Sequence, residues 1–124
     1  MVTVLAVAAT VLTGCAHTPT VRPAQIVFAC GDGNFYATGL HWSHWGTKDA
    51  EASGIGHAND CTPNCAAGRF HTYPLHVRLT RPVVCVHGRR EFSRWAWTYT
   101  GMHPAYAKRS DGEVLPCSFL KLKP

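Results

Sequence analysis

The sequence predicts an all-β domain: a small antiparallel β-sandwich or barrel of about six short strands, stapled by disulfides. Three observations carry this. Apolar residues alternate with polar ones at a period of two in several stretches, and no window sustains a 3.6-residue apolar period. Turn signals rich in Gly, Asp and Asn recur between those stretches. Six cysteines in 124 residues are dense enough to act as a framework.

The elements follow in chain order. Residues 26–30 form a short apolar run, closed by the turn signal Gly31-Asp32-Gly33-Asn34. A second strand is expected over 35–42. A loop through Gly46-Thr47-Lys48 leads to 50–58, whose small residues suit a strand along a close-packed edge. After a loop containing Cys61 and Cys65 comes 70–80, where Tyr73, Leu75, Val77 and Leu79 alternate with His76, Arg78 and Thr80. Pro74 removes one ladder donor from this strand and so predicts an edge position or a bulge. Residues 91–100 give the clearest strand, with Ser93, Trp95, Trp97 and Tyr99 on one face and Phe92, Arg94, Ala96 and Thr98 on the other. Ser110-Asp111-Gly112-Glu113 reads as a turn, and 114–122 as a closing strand.

Composition narrows the functional classes. The 46% hydrophobic content, 15% charged content and four Trp describe a globular chain with a real core. The formal charge of +5 favours anionic surfaces such as lipids or envelope polymers. The basic residues are scattered and no nucleic-acid signature accompanies them, so nucleic acid is not expected as a partner.

Residues 2–13, VTVLAVAATVLT, are uncharged and almost all apolar or small. A run this short is below the roughly 20 residues that a bilayer span needs, and it has the length of a signal-peptide core. It ends in Leu12-Thr13-Gly14-Cys15, which resembles the lipobox of bacterial lipoproteins. In that family the Cys thiol is alkylated by diacylglycerol and a signal peptidase cuts just before it. The resemblance implies a signal peptide over 1–14, a lipidated Cys15, a tether over 15–25 and a β-rich extracytoplasmic domain over 26–124. Pro19 and Pro23 favour extended backbone in such a tether, whose residues 16–25 would reach roughly 33 Å at most. The other readings of the same residues are plain secretion and an N-terminal strand whose Cys15 joins a disulfide.

Setting Cys15 aside for lipid leaves five disulfide candidates: Cys30, Cys61, Cys65, Cys85 and Cys117. Two bridges and one free thiol is then the simplest outcome, with the connectivity open. The Cys61-Thr62-Pro63-Asn64-Cys65 segment is better explained by structural bridges than by a redox pair or a soft-metal site, since no βαβ context surrounds it. Together with Trp42-Ser43-His44-Trp45-Gly46, the stretch Asn59–Gly68 is similar to small exported actinobacterial proteins. The likeness extends roughly over residues 26–101 and implies no activity.

The candidate ligand-binding residues are Trp42, His44 and Trp45, an aromatic platform for a sugar or peptide. Residues three apart on a regular strand point to opposite faces, so one of the two Trp is expected at the surface. Trp95, Trp97 and Tyr99 read as core. Eight His raise an alternative, a Cu or Zn site on His41, His44, His87 and His103, of which His87 and His103 lie in predicted loops. No nucleophile elbow or paired-carboxylate arrangement points to catalysis. The expected function is a non-catalytic binding or structural module of the cell envelope, membrane-anchored and without cofactor, its partner an anionic polymer or an envelope protein. A metal-binding lipoprotein and an inhibitor of secreted proteases are the alternatives.

Overall fold

The structure, a computed structural model, describes residues 8–85 and 88–117. It is all-β, as the alternation predicts. Six strands, β1 (Ile26–Val27), β2 (Phe35–Trp45), β3 (Ala50–Asn59), β4 (Phe70–Val84), β5 (Arg90–Tyr99) and β6 (Ser110–Val114), form one antiparallel sheet in sequence order. The sheet curls into a half-barrel, so one concave face holds the core.

The reason for the curl lies in β3. Its inward positions Ala50, Ala52, Gly54, Gly56 and Ala58 are all small, and the flanking strands place large side chains over them. Trp45 pairs with Ala50, Trp42 with Ala52 and Phe35 with Ala58, while on the other side Leu79, Val77, Leu75 and Tyr73 lie opposite Ala50, Ala52, Gly54 and Gly56. A Cβ on Gly54 would approach the Thr38 carbonyl to 2.7 Å, and one on Gly56 would approach Leu75 Cδ2 to 2.6 Å. The small-residue strand is therefore central, not the edge strand the sequence suggested: its smallness makes room for two neighbours at once.

β4 is central too, despite Pro74. The Pro74 carbonyl accepts from the Thr100 amide, so its missing donor faces β5 just past that strand's end at Tyr99. The proline thus removes no bond within the β4–β5 ladder. Alternation along β4 and β5 buries Leu75, Val77, Leu79, Trp95 and Tyr99, as read from the sequence. Phe92, expected on the opposite face, is also buried and packs edge-on against Trp45 with ring centroids 5.5 Å apart. Ser110-Asp111-Gly112-Glu113 is an edge strand rather than a turn, with Gly112 opposite Ala96; part of the closing strand expected over 114–122 lies outside the described residues. Its polar, charged sequence suits an exposed sheet edge.

Three disulfides join Cys15 to Cys30, Cys61 to Cys65 and Cys85 to Cys117, and all six cysteines are paired. The expectation of two bridges and a free thiol is corrected: there are three bridges, and Cys15 bonds to Cys30. The proposed tether is likewise bound to the domain. The Ala24 carbonyl accepts from the Leu40 amide, and the Pro23 carbonyl accepts from the Trp42 indole at 2.8 Å. Upstream of it, Leu12 is buried in the core cluster.

Candidate functional site

β2 carries two bulges, one between Thr38 and His41 and one between Trp42 and His44. Each adds a residue on β2 opposite β3 and shifts the phase of alternation. Gly39, at φ 59°, takes the left-handed conformation that the first bulge needs. As a result Trp42 and Trp45 both point inward, which a regular strand forbids. Their rings meet edge-to-face at 4.7 Å, and both indole N–H groups are spent, on the Pro23 and Thr10 carbonyls. The exposed Trp42/Trp45 platform is therefore not present; these residues brace the N-terminal segment. His44 remains exposed, its Nε2 2.8 Å from Asp49 Oδ1.

The histidines disperse. His41 is exposed on β2, and the His103 ring is held by the Pro104 carbonyl and lies 6.0 Å from Tyr99. His87 lies outside the described residues. Among the described residues no three His, Cys, Asp or Glu side chains converge, so His41, His44 and His103 do not assemble a metal centre.

The concave face instead opens onto a cavity of about 320 Å³, at the mouth where the half-barrel stays unclosed. Phe35 of β2 there faces Trp97, Tyr99 and Asp111 of β5 and β6, strands that are not its neighbours in the sheet. Register explains the mixture of rings and charge. Trp97 pairs with Asp111 and Trp95 with Glu113, and directly paired residues share a face, so β6 delivers two carboxylates to the aromatic side. The loop after β5 closes the rim with Tyr106 and Lys108. It is fixed by the Tyr106 hydroxyl donating to the Asn59 carbonyl at 3.0 Å and by Arg109 Nη1 donating to the Tyr99 and Gly101 carbonyls.

Phe35 and Trp97 stand 5.0 Å apart at 66° and form a ridge shared with a second cavity of about 450 Å³, lined also by Phe28, Trp95 and Glu113. On the other side Ala58 and Tyr106 are shared with a third cavity, lined also by Asp60, Thr62, His71 and Tyr73. Burial, reinforced by Tyr106, Tyr73 and Asp111, pushes the Tyr99 hydroxyl up to about 12. Asp60 is held down at about 2, first by the Arg69 amide, then by His71 and the Thr62 amide.

Trp97 and Tyr99 were assigned to the core, and the structure leaves Trp97 only half-buried. Phe35, Tyr106, Lys108 and Asp111 were missed. The one local signal available was the period-two spacing of Asp111 and Glu113, hidden inside a stretch with turn composition. Comparison with protein-family models, curated proteins and solved structures gave no match.

Proposed function

We propose that the chain is an exported, non-catalytic binding module of the cell envelope that takes an envelope glycan in the aromatic mouth of its half-barrel. Export is supported by three disulfides, which form and persist in oxidising compartments. One observation carries the binding reading: a concave cavity lined by Phe35, Trp97 and Tyr99 has Asp111 and Lys108 at its rim. Ring faces suit the C–H faces of a pyranose, while a carboxylate, an ammonium and phenol groups suit its hydroxyl and amide groups. Among the described residues Asp111 accepts one hydrogen bond, from the amide of Gly112 beside it, which leaves acceptor capacity for a ligand. Attachment through Cys15 drops out of the proposal, because that sulfur is already bonded.

The test is calorimetric titration with a short N-acetylglucosamine oligomer and with solubilised wall glycan. Wild type is expected to bind one of them. Trp97→Ala binds about thirtyfold more weakly, the ~2 kcal/mol loss of an aromatic anchor, while Trp42→Phe binds as wild type. Circular dichroism of both variants is the control for folding. Absence of glycan binding by the wild type, or equal weakening in the two variants, removes the reading.

A further inference from the structure

We infer that Cys15 is one half of a structural cystine in the working protein, not a lipid-bearing residue, and that the strand segment just before it remains part of the mature fold. Every residue of Leu12-Thr13-Gly14-Cys15 has a task inside the domain. Leu12 is 3% exposed within the core cluster. Thr13 donates from its hydroxyl to Glu91 Oε1 at 2.9 Å, and Glu91 is itself only 3% exposed. Gly14 turns the chain at φ 55°, the left-handed region that a side chain disfavours. Cys15 bonds to Cys30 with Cα atoms 5.3 Å apart. Small residues before a cysteine are what a lipobox resembles; here a turn and a buried carboxylate require them independently.

The residues upstream are as firmly held. Thr10 is fully buried, its carbonyl accepting from the Trp45 indole and its hydroxyl donating to the Thr47 carbonyl. The Val11 amide donates to the Arg90 carbonyl and its carbonyl accepts from the Phe92 amide, both at 3.0 Å. Val11 thereby covers the stretch of β5 edge beyond Arg94, where the pairing with β6 ends. A cut before Cys15 would strand the Trp45 N–H, remove the Thr13 bond from a buried carboxylate and bare a sheet edge. A thioether at Cys15 would also leave Cys30 without a partner among six evenly paired cysteines. Formation of the bridge takes two electrons and two protons from the two thiols. An oxidised dithiol–disulfide oxidoreductase accepts them by exchange, its own disulfide becoming a dithiol.

The test uses the full chain exported by its native host. Peptide mapping by mass spectrometry without reductant is expected to find a Cys15–Cys30-linked pair, with residues 10–14 still attached to Cys15. A chain that begins at Cys15 and carries diacylglycerol mass overturns the inference. A second variant, Cys30→Ser, is counted for thiols after denaturation without reductant, so the result does not depend on folding. One new thiol, mapped to Cys15, is expected; no new thiol, with Cys15 blocked by acyl mass, contradicts it.

Discussion

Asp60 gathers the amides of Arg69 and Thr62 and the imidazole of His71 around one carboxylate at the base of the Cys61–Cys65 loop. These donors favour the ionised form, which holds its pKa at about 2 against an ordinary 3.8. The sign follows. A depressed carboxylate contributes stability above its unfolded pKa and loses it as pH falls through the folded value. Acid should therefore weaken the domain between about pH 4 and pH 2, and Asp60→Asn should flatten that part of a stability–pH curve measured by denaturant unfolding. An unchanged slope would show that other carboxylates govern the acid limb. Gly54 offers a second test at this scale. The Thr38 carbonyl, a backbone atom, lies 2.7 Å from where its Cβ would be, so Gly54→Val should cost about 1–3 kcal/mol in thermal or chemical unfolding. Neither role shows in the sequence: Asp60 is held by a loop that folds back on itself and by His71 of β4, and Gly54 is crowded by the neighbouring strand β2.

At the scale of elements, what the chain shows plainly is alternation over unbroken strands. Tyr73, Leu75, Val77 and Leu79 on β4, with Trp95, Trp97 and Tyr99 on β5, are read correctly as one face because pleating is local. Bulges defeat that reading. Each β2 bulge inserts a residue without any change in composition, so Trp42 and Trp45 looked opposed and are in fact neighbours. Smallness in β3 was legible as close packing but not as centrality, which is set by the large residues of β2 and β4. The disulfides act between elements and differ in reach. Cys61–Cys65 closes a separation of 4 residues, Cys15–Cys30 one of 15 and Cys85–Cys117 one of 32. Chain entropy grows with the logarithm of loop length, so the longest bridge should contribute about 2 kcal/mol more than the shortest. Pairwise Cys→Ser variants should lose melting temperature in that order; a reversal would place the stabilisation in local strain or contacts instead.

For the whole molecule, the proposed function rests on incomplete closure. A sheet of six strands in meander order curls far enough to bury Trp95 and Tyr99 but leaves Trp97 at a mouth faced by Phe35 and rimmed by Lys108 and Asp111. Sequence periodicity assigns residues to an inner face; it does not say where that face runs out of partners, since closure depends on the accumulated twist and on contacts between distant strands. The same limit hid the N-terminal segment, whose Leu12-Thr13-Gly14-Cys15 serves the core, a buried carboxylate, a turn and a bridge. Glycan binding at the aromatic mouth can be read by nitrogen-15 NMR of the four tryptophan indole N–H signals during titration with a short N-acetylglucosamine oligomer and then wall glycan. Trp97 is expected to shift and saturate while Trp42 and Trp45, bonded to the Pro23 and Thr10 carbonyls, stay in place. Four unmoved signals, or shifts at Trp42 and Trp45 with Trp97 still, would contradict it.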